Sequence, residues 1–217
     1  LDYLHLTTNN TIFGTQYKEI PNTTVPLVAD MSSDIFSRKF DYSKFDLFYA
    51  GAQKNMGPAG TTLVIIKEAL LGKVSRTIPS ILDYTVQIKG GSMFNTPPVF
   101  AVYTSLLTLR WIEEQGGIEV IGEKNSLKAN RLYNEVDRNP MFKGYASQES
   151  RSQMNVTFNL VDAELTDTFD AMCNDNGISG LKGHRSVGGY RASIYNSLSI
   201  KSVDELINCM QLLEQKK

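Results

Sequence analysis

The sequence of 217 residues is poor in cysteine and contains no long apolar run. Its only two cysteines, Cys173 and Cys209, fall within helix-like apolar patterns. This count excludes a disulfide-stapled secreted domain and a cysteine-rich zinc site, and we expect no metal site. No segment approaches the ~20 apolar residues that a membrane span needs, and no signal-peptide pattern opens the chain. These absences predict a soluble protein of a reducing compartment, namely the cytoplasm.

The chain also lacks an excess of charge of either sign. It carries 22 basic and 23 acidic residues, a formal net charge of −1, and no Lys/Arg block stands out. Nucleic acid and anionic membranes are therefore not expected partners. Hydrophobic residues make up 41% of the chain, which is enough for one or two domains with real cores.

The first third alternates short apolar runs with turn residues, which is the pattern of buried strands. The runs are Leu4–Thr7, Val25–Ala29, Leu47–Ala50 and Thr62–Ile66. Nearly continuous apolar strands are typical of a sheet covered by helices on both faces. We therefore expect an α/β fold with a mostly parallel sheet.

Two prolines introduce a long apolar helix over Val99–Glu114, whose apolar residues lie nearly all round the axis. This pattern predicts a deeply buried helix. Residues 116–217 alternate amphipathic helices with two strands, which predicts a small α+β domain after a larger domain of residues 1–115. The sequence Ser-Val-Asp-Glu at 202–205 predicts a capping box at the start of the last helix.

A lysine and an aspartate follow two neighbouring apolar runs. Asp30 ends the run that begins at Val25, and Lys54 follows the next run 24 residues later. Ligands of α/β sheets bind beyond the strand carboxyl ends, so both side chains could reach one crevice. Pyridoxal phosphate uses that pair, with lysine on the aldehyde and an acid on the pyridine nitrogen. Two alternatives stay open, because Asp30 could cap a helix and Lys54 could be a solvated surface residue.

A second polar cluster lies at residues 183–191, in "GHRSVGGYR", and combines His184, Arg185 and Arg191 with three glycines. Arginine binds carboxylate or phosphate through two parallel hydrogen bonds, so the cluster favours a small, multiply anionic substrate. Surface ion pairs are the alternative. Upstream, Asn95 and Thr96 could donate to a phosphate or could simply cap the helix that follows them.

These residues resemble the phosphoserine aminotransferase family, within the class V aminotransferases of fold-type I pyridoxal-phosphate enzymes. The resemblance runs through essentially the whole chain and rests on "ADMSSDIFSR", "YAGAQKNMGPAG", "PSILDY", "GSMFNTPP" and "KGHRSVGGYRASIYN". It implies the C-terminal part of a large domain with a mostly parallel sheet, followed by a small α+β domain.

The resemblance implies cofactor roles for four residues near the first sheet. Lys54 matches the lysine that holds the cofactor as a Schiff base and moves the substrate proton. Asp30 matches the carboxylate paired with the pyridinium nitrogen, and Thr11 and Gln53 match further cofactor contacts.

It implies roles for five residues elsewhere. Asn95 and Thr96 match a pair that reaches the cofactor phosphate of the partner in a homodimer. Arg191 matches the residue that binds the substrate α-carboxylate, whereas His184 and Arg185 match residues that bind the distal phosphate or carboxylate.

The activity implied is amino-group transfer from glutamate to 3-phosphohydroxypyruvate for serine synthesis, with a related step toward vitamin B6 in bacterial members. The sequence departs from the family in two respects. Family chains extend further upstream of Leu1, so we expect a missing N-terminal segment, and Asn10 stands where many members have an acidic residue. Two alternatives remain, namely another class V aminotransferase and an incomplete piece that acts only in folding or dimerisation.

Overall fold

The computed structural model describes residues 1–216. The first part of the chain forms six strands: β1 (Leu4–Thr7), β2 (Asn9–Asn10), β3 (Thr15–Gln16), β4 (Leu27–Asp30), β5 (Leu47–Gly51) and β6 (Thr62–Ile66). The remainder forms α1 (Tyr84–Lys89), α2 (Val99–Glu114), α3 (Gly117–Arg138), β7 (Phe142–Gly144), β8 (Asn155–Leu160), α4 (Thr166–Asp175), β9 (Tyr190–Ser193) and α5 (Ile200–Gln215).

The first sheet has the strand order β1-β4-β5-β6. Strands β1, β4 and β5 are parallel, and β6 is antiparallel to β5. The α/β prediction with a mostly parallel sheet is confirmed, and each of the four predicted strands forms within two residues of its expected start. Asp30 is the last residue of β4, level with Thr7 on one side and Tyr49 on the other. The carboxyl ends of three strands therefore meet at one edge.

Side chains alternate between the two faces of this sheet, as in any strand. Leu27 and Ala29 are fully buried, whereas Val28 and Asp30 on the other face are partly exposed. The buried face packs on a core of Met31, Ile35, Phe45, Phe48 and Ala50. The expectation that both faces are covered is wrong for residues 1–216, because the described chain supplies a packed layer to one face.

Helix α2 has the predicted bounds, but its predicted deep burial is wrong for the described chain. Ala101, Ser105 and Ile112 are buried, whereas Phe100 and Tyr103 are 77% and 56% exposed. The helix packs on α3 with one side of its surface. An apolar face therefore stays open to solvent within residues 1–216.

The second region is a closed α+β unit. Strands β7, β8 and β9 form an antiparallel sheet, and α3 packs on both β7 and α5. Phe169 lies at the centre of the core, with its ring centroid 5.2 Å from that of Phe142 and 5.1 Å from that of Tyr190. Both contacts are edge-to-face, an arrangement that aromatic rings prefer. The side chains of this core are buried.

The last helix begins earlier than predicted. Helix α5 starts at Ile200, and its N-cap is Ser199, whose side chain accepts a hydrogen bond from the Ser202 N–H at 3.2 Å. The predicted capping box at residues 202–205 is therefore wrong. Ser199 already satisfies the free N–H groups of the first turn, so Ser202 lies inside the helix.

The two regions are linked through α3. The Asn125 side chain donates to the Ser37 carbonyl and to Asn196 Oδ1, both at 2.8 Å. The division at residues 115 and 116 stays a prediction. Across residues 1–216, no helix is both long and apolar enough to cross a membrane.

Candidate active site

Lys54 lies in a tight turn that follows β5. The backbone N–H groups of Met56 and Gly57 both donate to the Ala52 carbonyl, which curls the chain into a helix-like turn. Lys54 Nζ donates to Thr11 Oγ1 at 2.9 Å. Burial lowers the pKa of the half-buried Lys54, and the nearby Asp30 partly opposes that effect. A lysine with a lowered pKa is a better nucleophile and base than a solvated one.

Asp30 presents its carboxylate at the end of β4. One oxygen, Oδ1, accepts from the Ser32 N–H at 2.8 Å. Residues 31–37 form turns rather than a helix, so this contact is a local turn and not a helix cap. No hydrogen bond among residues 1–216 uses the second oxygen, Oδ2, which leaves it available to a ligand.

The turn that carries Thr11 is tightly built. Asn10 Oδ1 accepts from two backbone N–H groups of the turn, each at 3.1 Å. An acidic side chain could make the same contacts, which accounts for either residue type here. Gly14 closes the turn with a φ of +67°, and a Cβ on it would lie 2.5 Å from Thr157 Oγ1. Thr157 also donates to the Phe13 carbonyl at 3.0 Å, so β8 of the second region holds the turn in place.

The glycines around Lys54 have packing roles. A Cβ on Gly57 would lie 2.6 Å from Ser105 Oγ, so this glycine lets the turn sit against α2. A Cβ on Gly51 would lie 2.6 Å from Gln53 Oε1. Tyr49 pairs with Asp30, and Gly51, two residues after Tyr49, faces the same side of the sheet. The exposed Gln53 side chain, which lies against Gly51, is therefore on the sheet face that carries Asp30.

Arg191 comes close to Lys54 from the second region, and the space bordered by Lys54, Asp30 and Arg191 is called the crevice below. It lies on β9 opposite Thr157 on β8 and is partly buried. Its guanidinium is close enough to lower the pKa of Lys54 further. Its Nε is buried and has no partner among the described residues. An unsatisfied buried donor is costly unless a ligand completes it.

His184 and Arg185 lie in a loop beside the Thr11 turn. Ile12, Val187 and Arg191 line a separate narrow cleft between the turn and this loop. His184 Nδ1 contacts Ser186 Oγ at 2.7 Å, and no hydrogen bond within residues 1–216 joins His184 or Arg185 to Lys54. The glycines of the loop pack it on itself and on β8, since a Cβ on residue 183 or 189 would lie within 2.0 Å of a neighbouring oxygen.

Asn95 and Thr96 are not brought to Lys54. Both are exposed and directly precede the two prolines that start α2. They lie just before the exposed apolar side of that helix. Their predicted role on a partner's cofactor is not tested by this arrangement.

Sequence reasoning missed a set of buried polar residues beneath the crevice. Asn9 Nδ2 donates to Ser33 Oγ and to Asn155 Oδ1, each at 2.9 Å, which joins the two regions. Asn55, next to Lys54, accepts from the Asn196 N–H at 3.1 Å. No spacing in the sequence connects such distant asparagines. Asp34, by contrast, could have been noticed, because a lone acid stands there between the apolar Met31 and Ile35.

Comparisons with known proteins agree on one family. A family model described as "Aminotransferase class-V" matches residues 1–206. The phosphoserine aminotransferase of Flavobacterium johnsoniae is 65% identical over 215 residues, which are 99% of this chain and 60% of that protein. The chain thus spans about three fifths of the length of the curated relatives it matches.

Two solved structures share the fold closely. Phosphoserine aminotransferase from Bacillus circulans subsp. alkalophilus has a TM-score of 0.95 at 46% identity, covering 99% of this chain and 60% of that one. The PLP-bound phosphoserine aminotransferase of Trichomonas vaginalis has a TM-score of 0.91 at 37% identity, covering 96% and 60%.

Proposed function

The chain belongs to the class-V aminotransferase family, and from that premise we propose that the whole protein is a pyridoxal-phosphate-dependent phosphoserine aminotransferase. It transfers the amino group of glutamate to 3-phosphohydroxypyruvate, giving 2-oxoglutarate and phosphoserine for serine synthesis. The observation that carries this proposal is the Lys54 amine, which lies 2.9 Å from Thr11 Oγ1 and close enough to Asp30 and Arg191 for their charges to shift its pKa.

The residues of the crevice fit pyridoxal phosphate in chemical type. When bound, this cofactor supplies an aldehyde that links to an amine and a ring that withdraws electrons from the substrate Cα. Lys54 offers an amine whose pKa burial has lowered, and Asp30 Oδ2 is a free acceptor for a pyridinium N–H. Thr11, which accepts from Lys54 Nζ, and the exposed Gln53 are proposed to hold the cofactor in orientation.

Each residue has a distinct part in the proposed reaction. Lys54 Nζ takes the proton from the substrate Cα and returns it during product formation, for which an amine with a lowered pKa is suited. The negative charge of Asp30 keeps a proton on the facing ring nitrogen. Arg191 binds the α-carboxylate of both substrates, and its unpartnered Nε is a donor for that contact.

His184 and Arg185 bind the distal anion, which is a phosphate in one half-reaction and the glutamate side-chain carboxylate in the other. Their loop borders a narrow cleft that Arg191 also lines. One site then serves two substrates, because each carries an α-carboxylate and a second anion. We extend the proposal to the related phosphorylated substrate of vitamin B6 synthesis, which has the same pair of anionic groups.

The assembled protein is proposed to be a homodimer with a further N-terminal segment. The open apolar face of α2, with Phe100 and Tyr103 exposed, supports a partner surface there. Asn95 and Thr96, at the start of that helix, reach the cofactor phosphate in the partner's site. The half-exposed second face of the first sheet and the greater length of the relatives support the N-terminal segment.

We also propose a cytoplasmic location, supported by the free thiols Cys173 and Cys209. The same residues disfavour a cysteine desulfurase among the class V alternatives. Burial raises the pKa of the Cys173 thiol to about 12 and also raises that of Cys209, so neither offers a thiolate to carry sulfur.

The proposal is tested by assaying the whole protein, loaded with pyridoxal phosphate, for phosphoserine formation from glutamate and 3-phosphohydroxypyruvate. Alanine with glyoxylate serves as the control pair, since it lacks a second anion. Turnover of the phosphorylated pair alone is expected. Turnover of the control pair alone would assign another class V activity, and turnover of neither would favour a non-catalytic piece.

A further inference from the structure

Asp34 is a fully buried carboxylate one turn beyond Asp30. The Thr8 hydroxyl donates to its Oδ1, Gln16 Nε2 donates to its Oδ2 at 3.3 Å, and Arg38 Nη2 lies 3.8 Å from Oδ2. Burial raises the pKa of Asp34 to about 6 although these contacts favour its ionised form. A buried carboxylate is costly to the fold, so its presence calls for a role.

The partners of Asp34 lead directly to the residues of the crevice. Thr8 donates its backbone N–H to the Asp30 carbonyl oxygen at 3.0 Å, and its hydroxyl oxygen lies 3.3 Å from the same atom. Gln16 lies on β3, which pairs with β2 to form the hairpin whose turn carries Thr11. The Gln16 Oε1 atom accepts from the Gln153 N–H at 3.2 Å, which ties the hairpin to the second region.

The charge of Asp34 also affects the pKa of Lys54. Four titratable groups face Asp34 from the surrounding segments: Asp30, Arg38, Tyr42 and Lys54. The Asp34 carboxylate raises the pKa of Lys54, against the stronger effect of burial, and acts beside Asp30 in doing so. Two carboxylates thus oppose the effects of burial and of Arg191 on the pKa of the Lys54 amine.

We propose that Asp34 is a positioning residue for the crevice, which holds the Thr11 hairpin against Asp30 through Thr8 and Gln16 and sets the charge behind Lys54. It touches neither substrate nor cofactor. The inference rests on the proposed function for its meaning, since the crevice matters only if Lys54 is the working amine.

The test uses the whole protein without cofactor, so its outcome does not depend on transaminase activity. The variants are Asp34→Asn and Thr8→Val, with Thr8→Ser to restore the hydroxyl and Asp46→Asn as the matched control. Asp46 accepts from the Leu27 N–H at 2.7 Å, at the opposite end of β4. The Lys54 amine pKa is read from the pH dependence of its acetylation by peptide mass spectrometry, and the order of residues 8–17 from amide hydrogen exchange.

Asp34→Asn is expected to shift the Lys54 midpoint down by about half a pH unit, as for one charge removed nearby. Asp34→Asn and Thr8→Val should both speed exchange across residues 8–17, whereas Thr8→Ser and Asp46→Asn should behave like the unaltered protein. A Lys54 midpoint and hairpin exchange unchanged in Asp34→Asn would overturn the proposal. If Asp34→Asn does not fold, unchanged exchange in Thr8→Val would overturn it equally. A positive result in a protein without transaminase activity would retain the positioning role and refute the proposed function alone.

Discussion

The two sheets of this protein are stabilised in different ways. The antiparallel sheet is sealed by α3 and α5 around Phe169, which is fully buried. The parallel sheet is packed on one face and carries Asp30 on the other, beside the Lys54 turn. The difference separates two roles: the closed region buries most of the large apolar core, and the open region presents polar side chains at strand ends, where ligands of α/β sheets bind.

The crevice depends on both regions at once. Thr11 and Lys54 come from the open region, whereas Arg191 and the threonine that holds the Thr11 turn, Thr157, come from the closed one. The comparison therefore predicts that changes in the crevice affect activity with little effect on stability. Changes in the closed core should do the reverse.

The largest effect is expected for Lys54→Ala, which removes the proposed working amine. Activity of the whole protein should fall by about 10⁴-fold or more, because base and covalent contributions are both lost. Its melting temperature should stay close to that of the unaltered protein. Lys44→Ala is the control, since Lys44 is an exposed lysine that donates to a backbone carbonyl. Activity retained in Lys54→Ala would contradict the proposal that Lys54 is the working amine.

The next effect belongs to the closed core. Phe169→Ala should reduce the free energy of unfolding by about 3–5 kcal/mol, because it leaves a cavity between the rings of Phe142 and Tyr190. Urea unfolding measures this loss. Val161→Ala, at a side chain that is 65% exposed, should change it by less than about 0.5 kcal/mol. Equal losses in the two variants would contradict a sealed core.

The third effect concerns the pH dependence of the free energy of unfolding. The pKa of Asp34 is raised from 3.8 to about 6 in the fold, so its protonated form favours folding. That contribution is complete below the unfolded pKa and is lost as pH rises through about 6. Asp34→Asn removes this titration, so between about pH 4 and pH 7 the unfolding free energy of the cofactor-free variant should fall less than that of the unaltered protein, by up to about 3 kcal/mol. An equal pH dependence in the two proteins would count against this reasoning.

The smallest effect concerns the turn that joins the two regions. Gly14→Ala meets both a positive φ of +67° and a 2.5 Å clash with Thr157, and should cost about 1–3 kcal/mol with a loss of activity. Gly180→Ala is a close match, with a φ of +70° and no neighbour within 4 Å of the added Cβ. It should show the backbone strain without the loss of activity. Similar activity in both variants would mean that the contact with β8 does not hold the turn.

The elements that the sequence predicted best are those with strong local signals. The strands around Asp30 and the bounds of α2 follow from apolar runs and from the two prolines. The burial of α2 was predicted wrongly, because a helix that is apolar all round shows only that its faces need partners and not where they come from. The start of α5 was missed because Ser199 and Ser202 are both good caps and only the path of the chain selects between them.

The site divides in the same manner. Lys54 and Asp30 follow apolar strands, so their placement at the same edge of the sheet could be predicted from topology. The junction of Asn9 with Asn155 could not, since it depends on two polar residues that are brought together only by the packing of one region on the other. Asn95, Thr96, His184 and Arg185 keep their proposed roles, which depend on ligands and on a partner.

The most direct test of the central claim is borohydride reduction of the whole protein in the presence of pyridoxal phosphate, followed by intact mass measurement and peptide mapping. Reduction fixes the bond between an amine and the cofactor aldehyde. The account predicts one pyridoxyl group per chain, on Lys54, and none in Lys54→Ala. No adduct, or an adduct on any other lysine alone, would contradict it.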